Sequence, residues 1–117
     1  SAPSPGMKHR HYAPRAPMTV LVGSDQNVIR EMIRRYDAAE NAVILCRGSL
    51  LPAFGGRRAY SLGDTPAETA QVLFRRLREM DELGVSRILV QGWEAKGEGL
   101  AVMNRMARAA AFDIVEV

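Results

Sequence analysis

At 117 residues the chain is long enough for one domain and too short for two. Its hydrophobic share of 47% and its charged share of 25% are those of an ordinary globular protein. We expect no membrane span, because the sequence lacks an apolar run of about 20 residues. The sequence also shows no pattern typical of a signal peptide. A single cysteine excludes an internal disulfide and a cysteine pair for zinc, so we expect a reducing, cytoplasmic environment.

The net charge of +3 lies entirely in the first 17 residues. That segment carries Lys8, Arg10 and Arg15 and no acidic residue, whereas the other 13 basic residues balance the 13 acidic ones. The body therefore has no overall field that would attract nucleic acid, and RNA binding is the least favoured function. A basic segment could meet phosphate, although a solvated arm fits the charge equally well.

Residues 1–17 predict an extended strap that leaves the globular domain and lies on another surface. The segment holds both histidines of the chain and has no apolar periodicity. Its prolines fix φ and favour extended geometry at the residues before them. We place the domain boundary between the strap and a domain over residues 18–117. Because the chain begins at Ser1 within such a strap, we expect a fragment whose N-terminal neighbour is missing.

The first half of the body predicts alternating strands and helices. Residues 18–22 and 42–46 are short apolar runs that suit buried strands. Between them, Ser24 is a suitable N-cap for an amphipathic helix. Glycine and proline predict a loop over residues 47–58, and residues 59–62 form a short third strand. The apolar face of the helix consists of Val28, Ile29, Met32, Ile33 and Tyr36.

A strong helix start follows at Thr65. Thr65 is the N-cap, Pro66 suits the first helical position, and Glu68 completes a capping box. Gly84 is a suitable C-terminal cap, and residues 87–91 form the next strand. The predicted apolar stripe of this helix consists of Ala70, Leu73, Phe74, Leu77 and Met80.

A third helix and a final strand, residues 113–117, complete the pattern. Strands that alternate with helices indicate crossover connections and a mostly parallel sheet. We therefore predict a three-layer, Rossmann-like α/β domain with about five strands and helices on both faces, preceded by the Pro-rich strap. The predicted apolar stripe of the third helix consists of Leu100, Met103, Met106, Ala107 and Ala110.

The body lacks the residues for several kinds of catalysis. Without a histidine it cannot build a Ser-His-Asp or Cys-His site. Cys46-Arg47-Gly48 invites comparison with a cysteine phosphatase loop, but Pro52 stands where that loop would need an arginine. Cys46 ends an apolar strand, so we expect it in the core.

Two glycine-containing turns are candidate phosphate or ligand contacts. Gly97 and Gly99 begin like a dinucleotide fingerprint, but Val102 occupies the position of the third glycine. The free N–H groups of a helix N-terminus could still hold a phosphate there, and the same holds for Gly23 and Ser24. A flexible start to each helix is the simpler interpretation.

Three further residues are candidates for contact with a ligand. Trp93, just past a strand, could stack on a ligand, although a partly buried anchor is more usual. Asn104 and Arg105 lie in mid-helix, where asparagine suggests a task for its side chain. Capping a neighbouring loop is a simpler task for Asn104 than contact with a substrate.

Three segments together carry a resemblance to a known family. The strap over residues 4–14 resembles the interdomain linker of the long, two-domain threonylcarbamoyl-AMP synthases. Residues 70–81 and 99–105 are similar to two helices of the C-terminal domain of those enzymes. The combination of His-Tyr-Ala-Pro at residues 11–14 with Met-Asn-Arg at residues 103–105 is specific. The similarity covers essentially the whole chain.

The resemblance implies an accessory role. The full enzyme would join threonine, bicarbonate and ATP, with Mg²⁺, into threonylcarbamoyl-adenylate and release pyrophosphate. The product would serve the threonylcarbamoyl modification of adenosine 37 in tRNA, which this chain would meet only indirectly. Catalysis would belong to a YrdC-like N-terminal domain of the same polypeptide. No catalytic residue, metal ligand or cofactor is expected in this chain, and no membrane partner.

The resemblance also implies that the linker folds over the catalytic cleft as a lid. Lys8, Arg10 and Tyr12 could meet phosphate, base or a substrate carboxylate. His9 stands where the family often has tyrosine, and Glu98 stands where an apolar residue is usual. The positions that match family linker contacts are Ser4, Gly6, His11, Tyr12 and Pro14.

A different class of function remains open from the residues alone. The domain could be a self-sufficient nucleotide-binding module with its ligand near Gly23 and Gly97. A ligand titration of the isolated chain would distinguish it from an accessory domain.

Overall fold

The computed structural model describes residues 12–117, and these residues form a three-layer α/β domain. Five parallel strands make one sheet in the order β3-β2-β4-β1-β5. The predicted α/β fold class is confirmed, whereas residues 1–11 of the predicted strap lie outside the described residues. The strands are β1 (Met18–Val22), β2 (Ala42–Cys46), β3 (Ala59–Ser61), β4 (Arg87–Gln91) and β5 (Ile114–Glu116), and the helices are α1 (Asp25–Ala38), α2 (Pro66–Leu83) and α3 (Glu98–Ala109).

The two faces of the sheet bury different helices because side chains alternate along each strand. On one face, Leu21, Ile44 and Leu89 pack against Val28 and Met32 of α1. The opposite face packs against both α2 and α3. Its core contains Val20, Val43, Leu45, Ile88 and Val90 from the strands and Leu73, Leu77, Met80, Val102, Met103 and Met106 from the helices.

Local capping sets the helix boundaries as the sequence predicts. Ser24 Oγ accepts the Asn27 N–H at 3.2 Å and starts α1. Thr65 Oγ1 accepts the Glu68 N–H at 3.1 Å and starts α2. Gly84 ends α2 in the left-handed region, with φ of 68°. Each cap satisfies helix N–H or C=O groups that have no partner within the helix.

Two local predictions are wrong. Leu100 was expected on the buried stripe of α3, but 47% of the residue is exposed. The buried face runs through Gly99, Val102, Met103 and Met106, and Leu100 is turned about 100° from Gly99 around the helix. The predicted loop after β2 contains a 3₁₀ helix, Gly48–Phe54, whose last residue, Phe54, is fully buried under α1.

Candidate functional site

A cleft of about 460 Å³ opens at the carboxyl ends of β2 and β4. The neighbouring strands β4 and β1 continue into helices on opposite faces, α3 and α1. Open α/β sheets bind ligands at such a switch point, which lies between β4 and β1 and so beside this cleft, whose lining comes from segments after β2, β3 and β4. The residues that line the cleft are Arg47, Pro66, Trp93, Glu94, Lys96, Glu98 and Gly99.

Arg47 is the best-fixed charged side chain of this cleft. Its guanidinium lies over the Trp93 ring, with Cζ 3.9 Å from the ring centroid. Nη1 donates to Asp25 Oδ1 at 3.2 Å, and Nη2 donates to the Gly92 carbonyl oxygen at 3.4 Å. The aromatic face, the carboxylate and the carbonyl together hold the cation in one position.

Two buried polar side chains, those of Gln91 and Thr69, hold Arg47 and Trp93 in place through hydrogen bonds. Gln91 Oε1 accepts the backbone N–H of Arg47 at 2.8 Å, and its Nε2 donates to Asp25 Oδ1 at 3.3 Å. Thr69 Oγ1 accepts the indole N–H of Trp93 at 3.1 Å and donates to the Leu62 carbonyl at 2.7 Å. Because both are buried, these bonds satisfy groups that would otherwise be costly to remove from water.

The predicted ligand glycines have local structural tasks. A Cβ on Gly99 would lie 2.3 Å from the Glu94 carbonyl oxygen, so glycine permits the close approach of backbone there. The Gly99 N–H already donates to the Lys96 carbonyl at 3.1 Å. Gly97 precedes α3 with φ of 56°. Gly99 does line the cleft, so its contact with a ligand remains a prediction.

The other predicted ligand residues lie away from the cleft lining. A Cβ on Gly23 would lie 2.4 Å from the Val117 carbonyl oxygen, and the Ser24 hydroxyl caps α1. Asn104 is exposed on α3, and Arg105 is half-buried beside it. Within residues 12–117, Asn104 makes no side-chain hydrogen bond, so the expected loop cap is absent from that part of the chain.

The described end of the strap is attached to α2. The Tyr12 hydroxyl donates to Asp81 Oδ2, and the Tyr12 ring meets Phe74 edge-on with 6.5 Å between centroids. The Arg15 backbone N–H donates to Asp81 Oδ1 at 2.8 Å. Pro14 is half-buried beside these contacts. Burial and the hydrogen bond to Asp81 raise the pKa of Tyr12 to about 12.

Tyr12 and Pro14 are thus the only predicted linker contacts inside the described residues. Ser4, Gly6, Lys8, Arg10 and His11 lie outside them. The attachment to Asp81 is not predicted from the sequence. A buried tyrosine seeking a hydrogen-bond partner was the available signal, but nothing in the sequence selects Asp81 among 13 acidic residues.

The described residues offer neither a reactive thiol nor a metal site. Cys46 is buried, as predicted, and burial raises the pKa of its thiol to about 11. Within residues 12–117, no three His, Cys, Asp or Glu side chains are grouped so that they could hold a metal ion. None of the helices in that range is long and apolar enough to cross a membrane.

Comparisons with known proteins identify the family. A family model described as "Threonylcarbamoyl-AMP synthase, C-terminal domain" matches residues 1–111. The threonylcarbamoyl-AMP synthase of Pyrococcus abyssi is 40% identical over 121 residues, which cover 100% of this chain and 34% of that enzyme. The enzyme of Bacillus subtilis is 36% identical over 92% of this chain and 32% of its own length. The chain thus spans about a third of the curated relatives it matches.

Solved structures agree with the sequence comparison. P. abyssi Sua5 complexed with L-threonine has a TM-score of 0.76 and 40% identity, covering 100% of this chain and 34% of that one. The C-terminal Sua5 domain from Pyrococcus horikoshii has a TM-score of 0.68 and 29% identity, covering 90% of this chain and all of that one. The chain therefore belongs to the family of threonylcarbamoyl-AMP synthase C-terminal domains.

Proposed function

We propose that this chain is the accessory, regulatory domain of a cytoplasmic threonylcarbamoyl-AMP synthase, together with the linker that reaches its active site. The catalytic part is a YrdC-like N-terminal domain of the same polypeptide. That domain binds ATP with Mg²⁺, threonine and bicarbonate, and it releases pyrophosphate. The enzyme's product serves the modification of adenosine 37 in tRNA, so the accessory domain meets tRNA only indirectly.

The observation that carries this proposal is that the family model for the C-terminal domain matches residues 1–111 of this chain. The full-length relatives are about three times as long as the chain. The described residues agree with a non-catalytic role. They contain no histidine, and their one cysteine is buried with a raised thiol pKa. A buried thiol of this kind is a poor nucleophile, because the thiolate is the reactive form.

The attachment of the strap supports the lid proposal. Asp81 accepts hydrogen bonds from the Tyr12 hydroxyl and from the Arg15 N–H, so the strap has a fixed point on α2. The linker proposal therefore starts from a defined position on this domain, and the prolines of the linker sequence would limit the entropy lost on docking. Lys8 and Arg10 then supply positive charge for phosphate. A closed lid would exclude water and so protect a carbamoyl-adenylate from hydrolysis.

The test compares full-length enzymes in a pyrophosphate-release assay with ATP, threonine and bicarbonate. Replacement of residues 4–11 by a Gly/Ser segment of equal length keeps the tether but removes the lid contacts. We expect its turnover to differ from that of the parent enzyme by at least about tenfold. Arg75→Ala, on the exposed face of α2, is the matched control and should leave turnover unchanged. Equal turnover of the parent and the Gly/Ser enzyme would refute the lid.

A second candidate function is small-ligand binding in the cleft beside Trp93. The specific observation is the fixed Arg47 guanidinium over Trp93 at the carboxyl ends of β2 and β4. The test titrates the 117-residue chain with ATP, AMP or pyrophosphate and follows the amide signals of Trp93, Gly97 and Gly99. Shifts that saturate below millimolar ligand would support a nucleotide-binding module. Unshifted signals at millimolar ligand would reject it.

A further inference from the structure

A second groove, of about 360 Å³, lies at the opposite end of the sheet from the cleft. The last turn of α1, the first residue of β4 and the segment before β5 meet there. The groove is distinct from both the strap attachment and the cleft, and the function proposed above gives it no role. Its lining residues are Arg34, Arg35, Ala38, Ala39, Arg87 and Asp113.

Positive charge exceeds negative charge around this groove. Arg34 and Arg35 share one carboxylate, that of Glu31: Arg34 Nε donates to Oε1 at 2.9 Å, and Arg35 Nε donates to Oε2 at 2.7 Å. Within residues 12–117, Arg87 forms no ion pair, and its one side-chain hydrogen bond goes to the neutral Thr19 hydroxyl, at 3.2 Å. Three guanidiniums therefore face two carboxylates, those of Glu31 and Asp113.

The guanidiniums keep donors for a further acceptor. Arg35 uses only Nε in its bond to Glu31, and Arg87 uses only Nη1 in its bond to Thr19, counting partners among residues 12–117. Both side chains are half-buried, which reduces screening by salt. Guanidinium donors in a fixed plane suit the paired oxygens of a phosphate group. Ala38 and Ala39 have small side chains, which leave space beside the guanidiniums.

Two groups oppose an anion and define where it would lie. The C-terminal end of α1 carries partial negative charge. Asp113 contributes a carboxylate, whose Oδ2 accepts the Thr19 hydroxyl at 2.6 Å. Because Arg87 and Asp113 both bond to the Thr19 hydroxyl, Asp113 offsets part of the Arg87 charge, and an anion would sit nearest Arg35 with Arg87 at its edge.

We propose that this groove binds a compact phosphate-bearing anion, of the class of pyrophosphate or the phosphates of a nucleotide. An RNA strand would need several phosphate contacts in a row, and the body outside the strap has no excess positive charge to supply them. The compact ligand is therefore the one that the charges favour.

The experiment titrates the 117-residue chain with sodium pyrophosphate at constant ionic strength and follows backbone amide shifts. We expect saturable shifts at Ala38, Ala39, Arg87 and Asp113. Sodium sulfate in a parallel titration measures the response to a generic dianion. A second arm replaces pyrophosphate by a short single-stranded RNA without terminal phosphates.

Variants in the groove make the test specific. Arg35→Gln and Arg87→Gln should each weaken pyrophosphate binding about tenfold, the loss expected for one charge-assisted contact. Asp113→Asn keeps an acceptor for Thr19 but removes the repelling charge, so it should tighten binding. Arg75→Gln, on exposed α2, should bind like the parent chain. Ala39→Glu places a carboxylate in the groove without removing an arginine and should abolish binding.

Several outcomes would overturn the proposal. These are the absence of saturable shifts at the groove, equal affinity for sulfate and pyrophosphate, equal loss in the Arg75→Gln control, and tighter binding of RNA than of pyrophosphate. If Arg87→Gln unfolds the chain, Arg35→Gln and Ala39→Glu still decide the result. Loss of the lid effect in the full-length enzyme would leave this titration unaffected, so the two proposals fail separately.

Discussion

The guanidinium of Arg47 covers the indole ring of Trp93, with 3.9 Å between Cζ and the ring centroid. The contact joins the residue after β2 to the loop after β4, two strands that are neighbours in the sheet. The indole N–H extends the connection to Thr69 of α2. One pair of residues thus ties together three segments that surround the cleft.

We expect Arg47→Ala to destabilise the domain by about 1–2 kcal/mol. The variant loses a partly buried cation–π contact and the bond to Asp25. Urea unfolding followed by circular dichroism measures the free energy of unfolding, and Trp93 emission should shift to longer wavelength as its ring becomes wetter. Arg75→Ala is the control. A parent-like unfolding free energy together with unchanged emission would contradict the role given to Arg47.

Sequence patterns predict correctly the helix boundaries that depend only on neighbouring residues. Capping at Ser24 and Thr65 and the left-handed cap at Gly84 depend on nearby residues, and all three were predicted. The prediction that Leu100 is buried was wrong because the start of α3 packs tightly against another segment, with Gly99 next to the Glu94 carbonyl oxygen. That approach buries Gly99 and turns Leu100 towards solvent, whereas the spacing of apolar side chains alone places Leu100 on the stripe.

The candidate sites depend on contacts between residues far apart in the chain. The place of Trp93 beside a strand end suggests ligand contact, but its partner Arg47 is 46 positions away, in a segment whose local sequence suggests only comparison with a phosphatase loop. The Tyr12–Asp81 contact likewise spans 69 positions. The order of strands and the placement of helices decide such contacts, and local sequence patterns do not reveal them. The glycine turns were visible in the sequence because positive φ and close approach leave a local signature.

Gly99→Ala should lower the free energy of unfolding by about 2 kcal/mol or more. A Cβ placed 2.3 Å from the Glu94 carbonyl oxygen forces the backbone apart. Gly56→Ala is a matched control, since a Cβ there meets no atom within 4 Å. We expect the control to remain within about 0.5 kcal/mol of the parent. Equal thermal unfolding of the two variants would show that the approach to Glu94 relaxes without cost.

Glu31 should give the domain a stability that disappears in acid. Hydrogen bonds from Arg34 and Arg35 lower the pKa of Glu31 from 4.5 to about 2. A carboxyl whose pKa is lower in the folded state stabilises the fold above its unfolded pKa, and this contribution is lost as the pH falls through the folded value. Glu31→Gln should therefore cost about 1 kcal/mol at neutral pH, the scale of surface ion pairs.

The measurement for Glu31 is the difference in unfolding free energy between parent and Glu31→Gln as a function of pH. The difference should be constant above pH 5 and shrink between about pH 4.5 and pH 2. A difference that persists undiminished at pH 2 would mean that the glutamate acts through packing rather than charge.

Tyr12 should show the opposite dependence at high pH. Its pKa is raised from 10.0 to about 12, by burial first and then by the hydrogen bond to Asp81. The folded state therefore holds the phenol proton more tightly than the unfolded state. The stabilisation is complete below pH 10 and is lost as the pH rises towards 12. Tyr12→Phe keeps the ring on Phe74 but has no proton to lose, so its stability relative to the parent isolates this group.

We expect the parent to be more stable than Tyr12→Phe by about 1 kcal/mol at pH 8, the usual net value of a hydrogen bond. This advantage should decline between pH 10 and pH 12. Hydrogen exchange of the Arg15 amide, which donates to Asp81, should also be faster in Asp81→Ala than in the parent. If the amide exchanges equally fast in both, the strap is not attached through Asp81. The linker would then have no fixed point on α2, and the lid proposal would lose the contact that supports it.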